Sequence, residues 1–269
     1  MQLGTLIAIW WNNLTTEPKT PRKITVRKIA NNAHWSWLGC AWSNLLKSRR
    51  PSLFIGLWVV LISLGLVVGL YLIGLKTTIP IAYGSFIMIG PLVATFVYGV
   101  AREVEKEGGA SKLRKIDMQP NSKSQLGFIG FTLLFLAIVW AIFAHLLWSL
   151  TVGMGRTIDE SQFIAFILSS RGIIMTVIGT IIGGILATIC FSIAAISLPL
   201  AFDRNIDALS AMALSVQCVI KNPIAMLSWG FMVGFIVVLS ALLAFLPIIV
   251  IFPWLGHSAW CAYRALIVD

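Results

Sequence analysis

Ionisable side chains are scarce in this chain. Only 11% of its residues are charged, against roughly 25% in soluble domains, and Asp and Glu together number 10. A surface so poor in charge cannot be solvated mainly by water, which excludes an ordinary soluble domain. Histidine is rarer still, with 3 residues. That is too few for an oxidase core with two haems and a copper centre. A single bis-histidine haem fails as well: His145 and His257 differ in depth by about 20 Å when counted along their helices at ~1.5 Å per residue. The spans hold almost no acid, which argues against a proton-driven transporter. No nucleophile elbow, phosphate-binding glycine loop or pair of buried carboxylates is present. The expectation is therefore no catalytic residue, no metal, no cofactor and no enzyme.

What the chain has instead is long apolar runs. Its mean hydropathy is +0.92 and 58% of its residues are hydrophobic. Crossing a hydrocarbon core of ~30 Å takes about 20 apolar residues. Four runs qualify singly, at residues 52–75, 79–101, 125–150 and 172–200. A 44-residue tract from Pro223 to Leu266 fits two more, 223–243 and 246–266, with a tight hairpin near Leu243 to Pro247. The expected fold is all-α: a polytopic membrane helix bundle of six transmembrane helices plus two cytoplasmic interfacial amphipathic helices. Residues 1–30 read as an extension and a proline-containing linker, and residues 31–269 as one membrane domain. Met1 to Trp11 lacks a leading positive charge and a cleavage site, so it is a poor signal peptide.

Basic residues set the orientation. With six spans, 17 of the 20 Lys and Arg fall on the face that holds both termini, and Lys76, Arg156 and Arg171 on the other. Such residues stay on the cytoplasmic side, so both ends are expected in the cytoplasm. The net charge of +10 is a topology and lipid-headgroup signal. No basic domain stands free of the bilayer to bind nucleic acid. Cys40, Cys190, Cys218 and Cys261 show no metal-ligand spacing and lie in the membrane or on its reducing side, so free thiols are expected. Cys40 and Cys218 are candidates for acylation.

Two stretches have the pattern of helices lying on the membrane surface. In residues 31–48, Trp35, Leu38, Trp42 and Leu45 recur at helical spacing, widened by Trp37 and Ala41. In residues 205–221 the stripe is Ile206, Leu209, Ala213, Val216 and Ile220, with Asn205 or Asp207 placed as the cap. An internal repeat links them. Ala41-x-Ser43 before Pro51 matches Ala213-x-Ser215 before Pro223, and Pro91 precedes Arg102 by the interval that separates Pro253 from Arg264. A parallel repeat implies a pseudo-twofold axis along the membrane normal. Gly65-x-x-x-Gly69, Gly179-x-x-x-Gly183 and Gly230-x-x-x-Gly234 are close-packing motifs, used within the monomer or between copies. Trp140, Trp148, Trp229, Trp254 and Trp260 read as interface anchors near the span ends.

Several segments resemble a bacterial family of six-span inner-membrane proteins, domain-of-unknown-function family 2189. They are Val26-Arg27-Lys28-Ile29, Trp35-x-Trp37-Leu38 with Ala41-Trp42, Gly90-Pro91-Leu92-Val93-Ala94 running into Arg102-Glu103, Ser197-Leu198-Pro199-Leu200, Lys221-Asn222, and Phe252-Pro253-Trp254-Leu255-Gly256-His257 with Trp260 and Tyr263-Arg264. Together they span residues 24–268. Ala41 and Asn44 depart from the family pattern. The resemblance implies a bacterial inner-membrane location and a fold, and it brings no activity.

Low-abundance polar groups and helix breakers near the boundaries are the candidate functional residues: Pro91, Arg102, Asp203, Arg204, Asp207, Asn222, Pro253, Gly256, His257, Trp260 and Arg264. Three functions are compatible with them. The first is a non-enzymatic accessory, assembly or scaffold protein that contacts membrane lipids and either other membrane proteins or a second copy of itself. The second is a transporter or channel for a lipid or other apolar small molecule. The third is a surface enzyme in which Asp203, Asp207 and His257 converge.

Overall fold

A computed structural model describes residues 24–107, 116–153, 158, 160–241 and 243–268. The sequence readings made on residues 1–23 and on Arg156 and Asp159 lie outside the described residues. Strand β1 (Thr25–Val26) pairs antiparallel with β2 (Ile267–Val268), Val26 opposite Ile267. The rest is helical. α1 (Ala33–Lys47) leads into α2 (Arg49–Leu72), and a 3-10 turn (Lys76–Thr78) leads into α3 (Ile79–Val93) and α4 (Thr95–Glu107). Then come α5 (Lys123–Thr151), α6 (Glu160–Leu168), α7 (Ser170–Asp203), α8 (Ala208–Lys221), α9 (Pro223–Ala241) and α10 (Ile248–Leu266).

Five stretches are long and apolar enough to cross a membrane: α2, the α3–α4 unit, α5, α7 and α9. α10 is shorter in apolar length because its terminal half carries His257, Trp260 and Arg264 and is wrapped by neighbours instead of lipid. Pro253, Leu255 to Tyr263 and Leu266 are all buried. The β1–β2 ladder brings the two ends of the described chain to one face, so the crossings are even in number and α10 is the sixth. The turn before it uses left-handed backbone at Ala244 and Phe245, with φ of 50° and 62°. This is an all-α membrane bundle with one short ladder tying its ends.

Several expectations need correction. The second span is two helices, because α3 ends at Val93, two residues after the internal Pro91, and α4 restarts at Thr95. Pro253, its expected repeat partner, sits inside an unbroken α10. The face of α8 that packs on the bundle is Ala208, Ala211, Ser215, Cys218 and Val219. Leu209 and Ile220 of the apolar stripe face outward. Small residues win the inward face because they allow the α7 backbone close: Ser215 Oγ accepts from the Ile196 amide at 3.1 Å. Of the tryptophans read as interface anchors, Trp229 and Trp260 are buried, and Trp140, Trp148 and Trp254 are half-buried. Trp229 packs against Trp37 and Phe191, Trp254 donates to the Leu38 carbonyl, and Trp140 donates to the Ile81 carbonyl at 3.0 Å.

Packing is uneven along the membrane normal. The main core, with Tyr98, Ile129, Leu133, Leu198, Phe202, Trp260 and Tyr263, lies toward the terminus-bearing face. α2 approaches α10 so closely that a Cβ on Gly56 would meet the Ile249 carbonyl, and α10 approaches α4 so closely that one on Gly256 would lie 2.8 Å from Val97. Toward the opposite face α7 exposes Ile173, Ile174, Val177, Ile181 and Ile185.

Candidate functional site

At the terminus-bearing face, α4, α7 and α10 end together and their boundary charges interlock. Arg264 donates from Nε to Glu105 Oε2 at 3.0 Å, and its Nη1 lies 3.1 Å from Asp203 Oδ2. Tyr263 donates its hydroxyl to the same Asp203 oxygen at 2.7 Å and accepts from Arg204 Nε at 2.9 Å. Trp260 Nε1 donates to Glu105 Oε2 at 2.9 Å. Arg102, 6% exposed, donates to the Asp117 and Gln119 carbonyls at 2.8 and 2.9 Å and stacks its guanidinium over Phe202 at 4.7 Å. Glu105 and Asp203 are each paired with Arg264, and each accepts a further bond from an aromatic side chain. The arrangement is a latch joining three helix ends and the 116–120 segment. It unites five of the sequence candidates (Arg102, Asp203, Arg204, Trp260 and Arg264) and adds Glu105 and Tyr263. Glu105 reads in the sequence as part of a solvated helix end, and its selective signal is only that it lies on the face of α4 turned to α10.

The other candidates serve elsewhere. Asp207 caps α8, accepting from the Ser210 amide at 2.8 Å. Those bonds hold its carboxyl below the usual range. Asn222 clamps the incoming chain: its Oδ1 accepts from the Ile29 amide at 2.9 Å, and its Nδ2 donates to the Arg27 carbonyl at 3.0 Å. His257 is fully buried, with Nε2 3.1 Å from Ser52 Oγ and 3.4 Å from Ser48 Oγ, and Nδ1 has no partner among the described residues. It stands ~9 Å along α10 from Tyr263, on another side of the helix. Asp203, Asp207 and His257 thus each engage different partners, and the expected convergence does not form.

The cysteines depart from expectation. Cys40 and Cys261 form a disulfide between α1 and α10, with Cα atoms 6.4 Å apart. Two residues 221 positions apart carry no local signal of pairing. Cys190 and Cys218 are free and buried. Cys218 is fully buried and Cys40 is bridged, so neither presents an accessible thiol for acylation; burial also pushes the Cys218 thiol up to about 12.

A large hollow lies toward the opposite face. A cavity of about 850 Å³ opens between α3, α5, α6, α7 and α9. Trp140 forms its base, its ring wedged between Gly84 of α3 and Gly183 of α7, where added Cβ atoms would strike it. Gly184 and Gly234 also line the hollow, and a Cβ on either would meet nothing within 4 Å. Lys76, Thr77, Thr176 and Thr180 supply the polar edge. None of the eleven sequence candidates lines this cavity. Its residues carry a signal in the sequence, the Gly179–Gly183 motif and Trp140, but that signal reads as helix packing and interface anchoring. Among the described residues no group of three or more His, Cys, Asp or Glu is placed to hold a metal.

Residues 78–203 match the family model described as predicted integral membrane protein (DUF2189). The resemblance drawn from scattered motifs is therefore borne out over α3 to α7, and the chain is a multi-pass integral membrane protein. No curated protein and no solved structure matches it.

Proposed function

We propose that this protein binds a lipid chain or a similarly apolar small molecule in the cavity between α3, α5, α7 and α9, as a non-enzymatic carrier or transporter. The cavity carries this reading. Its volume of about 850 Å³ falls within the ~300–1,000 Å³ of small-molecule sites, and glycines keep its walls clear. The test is purification in a lipid-preserving detergent followed by native mass spectrometry. Wild type should retain bound lipid. Gly184→Leu with Gly234→Leu, whose Cβ atoms would meet nothing within 4 Å, should retain none while unfolding at the wild-type temperature. Equal retention by both proteins overturns the reading.

A second reading, as an accessory or scaffold component, rests on the opposite flank. Gly65 and Gly69 of α2 meet nothing within 4 Å, so a close-packing face is open to a partner helix or a second copy. Cysteine cross-linking from Gly65→Cys in native membranes tests it, and absence of any adduct counts against it. For orientation we infer a bacterial inner membrane with both termini cytoplasmic, supported by the 17-to-3 division of basic residues. Reporter fusions active on the outer side would refute this.

A further inference from the structure

We propose that the occupant is an ester-linked lipid whose acyl carbonyls accept hydrogen bonds from Thr176 and Thr180 of α7. This rests on the cavity being a lipid site and adds the chemical group by which the site holds its lipid. Thr176, Gly179, Thr180, Gly183, Gly184 and Ala187 line the hollow, one face of α7 at helical spacing. Both threonines are exposed on that face. A serine or threonine within an apolar helix can satisfy its hydroxyl on the carbonyl four residues back, and this chain does so repeatedly. Thr132 donates to the Phe128 carbonyl at 3.0 Å, Thr151 to Leu147 at 2.7 Å and Ser240 to Ile236 at 2.8 Å. On α7 itself Thr188 donates to the Gly184 carbonyl and Ser192 to the Thr188 carbonyl, both at 2.7 Å. Thr176 and Thr180 differ: neither hydroxyl has a hydrogen-bond partner among the described residues. A hydroxyl donor without an acceptor is costly in so apolar a place. Two of them, one turn apart, call for acceptors on the occupant.

Depth identifies the acceptor. Arg171, in the first turn of α7, marks the membrane boundary. At ~1.5 Å per residue, Thr176 and Thr180 lie about 7.5 and 13.5 Å further along the helix. A headgroup layer is roughly 5–7 Å thick, so Thr176 stands where the hydrocarbon core begins and Thr180 one turn inside it. A glycerolipid carries its two ester carbonyls at that junction, on neighbouring carbons. Hydroxyls one helical pitch apart, ~5.4 Å, suit such a pair. Deeper along the same face, Gly184 and Ala187 present no polar side chain, which suits the hydrocarbon that follows an ester. An ether-linked lipid fills the same space but offers only ether oxygens, which are far weaker acceptors than carbonyls.

The experiment offers delipidated protein equal amounts of a diacyl and a dialkyl glycerophosphocholine of equal chain length, and reads the bound species by native mass spectrometry. Wild type should favour the ester-linked lipid by roughly tenfold, the worth of two neutral hydrogen bonds. Thr176→Val with Thr180→Val should still bind lipid but lose the preference, and Thr176→Ser with Thr180→Ser should keep it. Equal binding of the two lipids by wild type, or a preference that survives the valine pair, overturns the carbonyl assignment and leaves the cavity reading standing. Failure of wild type to bind either lipid overturns both.

Discussion

Two glycines of α2 predict stability changes of opposite sign. At Gly56, an alanine Cβ would meet the Ile249 carbonyl of α10. That is backbone, which cannot rotate aside, so the two helices must part. Forcing such a contact in a packed core costs about 1–3 kcal/mol, against the ~0.5–1 kcal/mol that alanine gains over glycine within a helix. The net expectation for Gly56→Ala is a loss of about 0–2.5 kcal/mol, centred near ~1 kcal/mol. At Gly65, nine residues along, the same atom meets nothing within 4 Å, so only the gain of about 0.5–1 kcal/mol remains. Both changes sit in one helix, which removes differences of host and environment from the comparison. The assay is thermal unfolding of purified protein in detergent, followed by tryptophan fluorescence. Each kcal/mol moves the midpoint by roughly 2–4 °C in a chain of this size. Gly56→Ala should melt a few degrees lower and Gly65→Ala no lower than wild type. A Gly56→Ala midpoint above wild type would refute the α2–α10 packing, and a lowered Gly65→Ala midpoint would refute the open face.

Arg102→Leu removes two charge-assisted bonds to carbonyls, but the Asp117 and Gln119 residues that own them are exposed and turn to water. The cost should stay near ~2 kcal/mol, seen as a lower midpoint with faster proteolysis at residues 117–120. Asp207→Ala should lose the α8 cap. The folded carboxyl titrates below its unfolded value, so the cap contributes at neutral pH and fades as pH falls through that lowered value. The wild-type-to-mutant gap in midpoint should therefore shrink in acid; a gap constant with pH sinks the assignment. For Cys40 and Cys261, a terminus-bearing face in the cytoplasm implies a dithiol in growing cells that closes on oxidation. Cells quenched in denaturant with an alkylating agent should yield both residues alkylated, and air-oxidised protein neither. A bridge already present in quenched cells would overturn the cytoplasmic assignment.

The crossings were legible because hydropathy and basic asymmetry act through the bilayer, a solvent the whole chain shares. The latch was partly legible for the same reason: Arg102, Asp203, Arg204 and Arg264 fall where spans end, and charges left at one boundary must neutralise one another there. Tyr263 and Glu105 were not, since their roles depend on which face each helix turns inward. The inversion of α8 has that origin too. Its Leu209 and Ile220 stripe is read by periodicity as the packing face, yet lipid accepts that stripe as readily as protein does, and close approach to α7 favours Ala211 and Ser215. The break at Ala94, the Cys40–Cys261 bridge and the cavity all depend on tertiary geometry. A glycine motif looks alike in sequence whether it is filled by a neighbouring helix, as Gly183 is by Trp140, or left open, as Gly184 is.

The cavity cannot stand empty. A hollow of about 850 Å³ with a largely apolar lining and an open side is not a sealed void, so whatever medium meets that side fills it. Water is a poor filler, because a buried water needs two to four polar partners and the lining is largely apolar. Collapse is resisted by Trp140, fixed to the Ile81 carbonyl and wedged between Gly84 and Gly183. Hydrocarbon is the filler that matches this lining, which is the ground for the lipid-binding proposal. The polar groups concentrated at the terminus-bearing face tie helix ends together, and the hollow at the opposite one leaves the apolar space that the proposed chain would occupy.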